Sequence, residues 1–422
     1  MLNLKQIVNE TKVVKQKLSM RNFDLKLIDE IIDLATKRSH LMTQVQTLEA
    51  KRNNLSTSIG RLKTSGVDTE SLMKDVIEVK NAIAQIKGEE IAINNTIEEK
   101  LAYIPNLPSD NTPPGQNEDD NKVIAEHANL GQGKISHQNS HDEIAVRLNI
   151  VDFTRSVKMS GTRFWSYIGL GAKLVRALIN FMIDEHIKRG YQEINPPLIV
   201  NAPASFGVGQ LPKFQDDLFK IANNDAYLIS TGEVPLTNFY AQEIITLLGP
   251  IKLTAYTPCF RQEAGSGGKD TKGLIRGHQF HKVELVKFVN HHDSKHEFKS
   301  TIEDAKNILQ KLELPFQELQ LCSGDLGFSA QETVDLEVWF PSQNRYREVS
   351  SISFFGEFQA RRLKIRYRDE NNKMHYAMTI NGSGLAIDRT IAAILENYQN
   401  KDGSVSIPKV LLPYFDNIKV IT

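Results

Sequence analysis

The segment from Phe260 to Val286, FRQEAGSGGKDTKGLIRGHQFHKVELV, sets a glycine-rich basic loop between two apolar, alternating runs. Such alternation predicts short strands, so a strand–loop–strand hairpin is expected. Arg261 stands near the end of the first run, and Glu263 follows two residues on, the spacing of one strand face. A guanidinium there suits bidentate contact with phosphate oxygens, and a carboxylate suits an amino group such as that of adenine. The loop AGSGGKDTKG has little to pack with and is expected to be mobile until a ligand arrives. Arg276, Phe280 and Glu284 follow at intervals of four, which in a strand aligns a cation, an aromatic plate and a carboxylate. Taken alone, the same pattern also describes a surface hairpin with scattered charges.

Other stretches supply matching chemistry. Ser230-Thr231-Gly232-Glu233 brings a hydroxyl and a carboxylate together at a turn, suited to a substrate ammonium. REVSS, residues 347–351, offers Glu348 and Ser351, hard oxygen ligands of the kind magnesium prefers beside phosphates. NGSGLAIDRT puts small residues where the last helix is expected to begin, near Ser383, with Arg389 one turn in. A helix start beside a cation suits an anion. The familiar phosphate signatures are missing: GSGGKDTKG lacks the Walker A spacing, and neither glycine cluster completes GxGxxG. There is no GxSxG elbow and no HExxH. His292 and His296 have helical spacing but no further ligand pattern, so HHDSKHE is expected to be solvated surface. Cys259, in an apolar run, is expected to be a packed thiol.

The N-terminal part has a different texture. Leucine recurs every seventh residue at Leu27, Leu34, Leu41, Leu48, Leu55 and Leu62, with a companion series Ile31, Arg38, Val45, Arg52 and Ile59. After TSGVD the spacing resumes through Leu72, Val76, Val79, Ile83, Ile86, Ile93 and Ile97. Steps of four and three over several heptads predict a supercoiled helix, and one short glycine-containing turn predicts an antiparallel pair. At about 1.5 Å per residue each helix would run roughly 50–60 Å, longer than a core needs, so a projecting arm is expected over about 27–101. A dimerising coiled coil is the alternative. The Pro-, Asn- and Asp-rich stretch 103–122 predicts a linker or extended connection. Beyond it, alternating runs without regular βαβ units predict an α+β domain, an antiparallel sheet carrying helices, over 123–422.

The chain has 422 residues and balances 51 Lys and Arg against 51 Asp and Glu, so a nucleic acid partner needs local basic patches. One such patch is Lys51, Arg52, Arg61 and Lys63, with no acidic residue between 51 and 63. Only Cys259 and Cys322 are present, which excludes a disulfide framework or a cysteine zinc site and fits a reducing compartment. No secretory signal or membrane span is expected.

Together these stretches resemble the class II aminoacyl-tRNA synthetases, specifically the seryl-tRNA synthetase family of bacterial and organellar type. RGYQEINPPLIV resembles motif 1, with Pro197 at the family proline; FRQE through VELV resembles motif 2, and NGSGLAIDRTIAAILEN motif 3. STGEVPLTN, CSGDLGFSAQETVDLEVWFPSQNRYREVSS and EFQARR single out the seryl branch. RNNLSTSIG, near the hairpin tip, resembles that family's tRNA-binding arm. The resemblance implies a tRNA-binding domain over 1–102, with contacts at Lys51, Arg52, Arg61 and Lys63, and a catalytic domain over 123–422. It implies that Arg261 and Arg389 are catalytic. ATP would be held by Arg261, Gln262, Glu263, Arg276, Phe280, Glu348, Val349, Ser350, Ser351 and Arg389, and Mg2+ by Glu348 and Ser351. Thr231, Gly232, Glu233, Glu284 and Ser383 would surround serine. Serine would attack ATP to give seryl-adenylate and pyrophosphate, and the seryl group would pass to the 3′-terminal ribose of tRNA(Ser), with tRNA(Sec) left open. Such chemistry needs charge stabilisation and no side-chain nucleophile. The resemblance further implies a cytoplasmic homodimer. Phe354 and Asp388 depart from residues common in the family. The rivals are a ligase that loads a carrier protein, which has little use for a long arm, and a non-enzymatic RNA-binding protein, against which Arg261, Glu348 and Arg389 stand.

Overall fold

A computed structural model describes residues 1–135, 138–264 and 272–422. The chain divides into two compact units, Leu2–Ile104 and Pro105–Thr422, with Met1 grouped in the second.

In the first unit two short helices, Leu4–Asn9 and Thr11–Ser19, precede α1 (Lys26–Thr64) and α2 (Glu70–Leu101). The hairpin is closed within the chain. Gly66, at φ +71°, ends α1 by letting Gly66 N–H reach Lys63 O and Val67 N–H reach Leu62 O. The seam buries Ile31, Leu41 and Val45 of α1 and Val79, Ile83, Ile93 and Ile97 of α2. Arg38 interrupts it without a bare charge, because its Nη1 donates to Asn94 Oδ1 at 3.1 Å. Lys87–Glu49 (2.8 Å) and Lys100–Glu30 (2.6 Å) lace the helices from outside. Exposed pairs of this kind contribute at most about 1 kcal/mol each, so the apolar seam carries the hairpin.

The second unit is built on eight strands: β1 (Lys122–His127), β2 (Gln192–Glu193), β3 (Ile251–Phe260), β4 (Gln279–Val289), β5 (Phe316–Gln320), β6 (Glu332–Phe340), β7 (Arg345–Gly356) and β8 (Met378–Ala386). Their order across the sheet is β1-β5-β6-β7-β8-β4-β3-β2. Every pair is antiparallel except β2 with β3, at one edge. Helices α3 (Leu170–Lys188), α4 (Glu233–Asn238), α5 (Ser294–Lys311) and α6 (Ile387–Asn397) complete the frame. Phe181 of α3, Ile308 of α5 and Ile391 of α6 bury against Val283, Leu336, Ile352 and Ile380 of the sheet. Each such side chain contributes about 1.5–3 kcal/mol by leaving water. Alternation then sends Asp335 and Glu337, between the core positions Val334, Leu336 and Val338 of β6, to the opposite face.

One expectation changes here. The last helix begins at Ile387, not near Ser383, and residues 381–386 lie in β8. The small residues serve close packing between strands and helix: a Cβ at Gly384 would stand 2.5 Å from His186 Nε2, which donates to Gly384 O. The stretch 103–122 runs as the extended connection expected, and its residues from Pro105 on belong to the second unit. Asn106 donates from Nδ2 to Ser329 O and Phe355 O, both at 2.8 Å, and Ser109 N–H donates to Gln331 O.

Candidate active site

Strands β4, β7 and β8, helices α4 and α6 and the turns after β3 and before β4 bring most of the predicted residues of the second unit to one cleft of about 580 Å³. On β4 the even-numbered positions Phe280, Lys282 and Glu284 face it. Arg276 does not share that strand, which starts at Gln279; it enters from the turn before it. Nor do Arg261 and Glu263 share a strand face, because β3 ends at Phe260 and Glu263 adopts φ +54°. The turn nevertheless returns both side chains to the cleft, and Arg276 Nη1 meets Glu263 Oε2 at 2.9 Å. The expectation about the glycine-rich loop falls on 265–271, outside the described residues.

One wall is cationic. Arg261 is fixed by donation from Nε to Ser230 O (3.1 Å), and its guanidinium lies 5.0 Å from the Phe280 ring centre. Arg389 donates from Nε to Ile275 O (3.0 Å) and from Nη1 to Glu348 O (2.7 Å), with Glu348 Oε2 at 3.1 Å. Burial works against the charge of Glu348, but Arg389, with Arg261 and Lys282, outweighs it and holds the carboxyl below its usual range. Glu348 and Ser351 line the cleft. Val349 and Ser350 do not: Val349 belongs to the main core, and Ser350 Oγ donates to Ser383 O at 2.6 Å. The bulge opposite Leu336 and Glu337 accounts for two intervening residues between cleft-facing neighbours.

The other end is a small polar pocket. Lys282 Nζ lies 2.6 Å from Glu284 Oε2 and donates to Thr231 Oγ1 at 2.7 Å. Thr231 Oγ1 in turn donates to Glu284 Oε2 at 3.0 Å. Glu233, at the start of α4, accepts from Gln359 Nε2 at 2.6 Å. Burial, and then the neighbouring Glu284, raise the Glu233 carboxyl to about 7. Ser383 lines the pocket with Asn381. Gly232 is not among the lining residues; a Cβ there would come 2.9 Å from Glu284 Cβ, so glycine permits the approach of the turn to β4. Gln262 is likewise turned away, donating from Nε2 to Leu218 O at 2.8 Å.

Several residues escaped the sequence reading. Lys282 and Asn381 sit two positions before Glu284 and Ser383, so strand alternation could have found them. Asp335 lies opposite Ser351 across β6 and β7, a register that sequence does not reveal. Its Oδ1 is buried with no hydrogen-bond partner, and burial and Glu348 push its carboxyl well above the usual range. Asp388 is absorbed: its carboxylate accepts from Tyr167 OH (2.6 Å), His281 N–H (2.5 Å) and Trp165 Nε1 (3.3 Å). Phe354 packs beside Phe298 of α5, ring centres 6.0 Å apart.

An antiparallel sheet whose cleft gathers three arginines, an aromatic plate and a carboxylate pocket is the frame of a class II aminoacyl-tRNA synthetase. Residues 218–398 match the family model described as tRNA synthetase class II core domain (G, H, P, S and T). Residues 1–108 match the seryl-tRNA synthetase N-terminal domain. Over its whole length the chain is 53% identical to the serine–tRNA ligase of Metamycoplasma arthritidis, covering 99% of that protein. It is 48% identical to that of Mycoplasma mobile, covering all of it. Among solved structures it is similar to seryl-tRNA synthetase from Pyrococcus horikoshii complexed with ATP, at TM-score 0.95 and 34% identity over 100% of this chain and 99% of that one. The chain belongs to the seryl-tRNA synthetase family, and its activity is that of a serine–tRNA ligase.

Proposed function

We propose that the cleft divides the ligase reaction between its cationic wall and its carboxylate pocket. The observation that carries this reading is the convergence of Arg261, Arg276 and Arg389 beside Thr231, Glu233 and Glu284. Serine lies in the pocket, its ammonium against Glu233 and Glu284 and its hydroxyl within the polar ring that includes Thr231 and Ser383. A ring of buried partners that needs the hydroxyl rejects alanine more strongly than an apolar pocket could. Adenine stacks on Phe280, and Glu263 accepts from its amino group. A serine carboxylate oxygen attacks the α-phosphorus, the bond to the bridging oxygen breaks, and pyrophosphate leaves. Arg261 stabilises the charge on the α-phosphate while Arg276 and Arg389 hold the departing phosphates.

Glu348 and Ser351 are fit to hold Mg2+ beside those phosphates, and the partnerless Oδ1 of Asp335 next to them is an oxygen that a cation would satisfy. Among the described residues no three His, Cys, Asp or Glu side chains form a metal cluster, so the ion would complete its shell with phosphate oxygens and water. When bound it supplies charge neutralisation on the phosphates.

In the second half-reaction a hydroxyl of the terminal ribose of tRNA(Ser) attacks the seryl carbonyl carbon, the bond to the α-phosphate oxygen breaks and AMP leaves with the hydroxyl proton released, while the arm holds the tRNA through Lys51, Arg52, Arg61 and Lys63. Among the described residues no helix is long and apolar enough to cross a membrane. From the resemblance to its family, the enzyme is proposed to work as a cytoplasmic homodimer. The test is exchange of labelled pyrophosphate into ATP with single amino acids. Exchange with serine that chelation abolishes and Mg2+ restores is expected. Equal exchange with alanine, or indifference to chelation, would contradict the assignment.

A further inference from the structure

Helix α6 grips the segment that carries Arg276 at two points, and only one of them belongs to the cleft. Arg389 donates to Ile275 O. Glu396 lies seven residues further along α6, two turns on and so on the same helix face. It is fully buried and accepts from His141 N–H (3.1 Å) and Ser342 N–H (3.0 Å). Its Oε1 is also 2.8 Å from His141 Nδ1. The other ring nitrogen, Nε2, accepts from Leu274 N–H at 3.1 Å. The ring proton therefore sits on Nδ1 and points to Glu396. His141 is buried against Gly273, whose φ is +74°, and a Cβ at Gly273 would stand 2.1 Å from Nε2. The imidazole thus fixes the Gly273–Leu274 peptide, one peptide ahead of the bond into Ile275 and two ahead of that into Arg276, although neither His141 nor Glu396 touches the cleft.

We infer that His141, oriented by Glu396, is a positioning residue for adenylate formation: it sets the backbone that delivers Ile275 O to Arg389 and the Arg276 side chain to ATP. The inference rests on the assignment of Arg276 to the ATP phosphates. Two conservative substitutions separate the two bonds of the ring. His141→Asn keeps a donor at the Nδ1 position, facing Glu396, but withdraws the acceptor from Leu274 N–H. His141→Gln places an oxygen at the Nε2 position and keeps that acceptor, but gives up the donor to Glu396.

The experiment is serine-dependent pyrophosphate exchange on the full-length variants, with ATP and serine varied separately and unfolding midpoints measured. His141→Asn should lower kcat/KM for ATP about tenfold or more, the size of leaving one buried donor unmade, and change KM for serine less than about twofold. His141→Gln should stay within about threefold of the parent. A Gln variant as poor as the Asn variant, an Asn variant with unchanged ATP kinetics, or an Asn variant unfolded at the assay temperature would overturn the inference and leave the pair a structural anchor. Arg276→Ala, measured in parallel, judges the other assignment: unchanged ATP kinetics there would remove Arg276 from the phosphates, while the contrast of Asn with Gln would still decide His141.

Discussion

The arm and the cleft are both rich in charge, and their surroundings are opposite. On the arm Lys51, Arg61 and Lys63 are exposed, and the Lys87–Glu49 pair keeps its side chains 50% and 36% accessible. In the cleft Lys282 and Glu284 are almost fully buried, and Glu233 is raised to about 7. Water screens the first set, so its members act nearly independently and through their number. The second set is desolvated, so each charge alters its neighbours, and one substitution disturbs several.

That contrast orders the expected effects. Arg261→Ala should slow adenylate formation at least about a hundredfold, the scale of removing one donor that acts on transition-state charge. Near-normal pyrophosphate exchange in that variant would detach Arg261 from the chemistry. Glu284→Ala should come next, raising KM for serine by tens of fold, with a much smaller change for ATP, because Thr231 and Lys282 lose their shared acceptor. Equal weakening of both substrates would indicate a folding defect instead.

The raised carboxyl of Glu233 gives a pH dependence with a definite sign. The group is protonated below about 7 and ionised above it. Only the ionised form attracts the serine ammonium, so kcat/KM for serine should climb by up to about tenfold per pH unit below that value and then level off. Glu233→Gln should flatten the climb. A wild-type profile already flat between pH 6 and 8 would show that Glu233 is ionised throughout (a range of about one unit either side of the value). The smallest effect is expected on the arm. A single neutralisation such as Arg61→Gln should weaken tRNA binding severalfold and reduce the slope of log affinity against log salt by about one. Reversing Lys51, Arg52, Arg61 and Lys63 together should flatten that slope much further, and an unchanged slope would remove them from the tRNA contact.

The same contrast explains what was legible in the sequence. The arm is quasi-one-dimensional, so heptads starting at Leu27 and ending at Leu62 predicted a helix that spans Lys26–Thr64. Even there, most of the leucine column is only half-buried, because two helices cover less than a full bundle would. The cleft is assembled from distant segments. Phe280 and Glu284 were placed correctly on one face because they lie within one strand. Glu263 and Arg276 reached the cleft by a different route from the one predicted, through turns that alternation does not describe. Asp335 and Gln359 were invisible because their placement depends on strand register and on the helix Phe358–Leu363. The helix start was misplaced because glycines that admit His186 and Ile352 to β8 look, in sequence, like a helix opening.

We assign serine activation to the second unit and tRNA recognition to the arm. The most direct measurement replaces residues 27–101 by a short linker and follows serine-dependent pyrophosphate exchange and tRNA(Ser) charging side by side on the same preparation. Exchange should persist largely intact, since none of the assigned cleft residues lies in that segment, while charging should be crippled. An armless enzyme that charges tRNA normally, or one that loses exchange and charging together while still folded, would contradict the account.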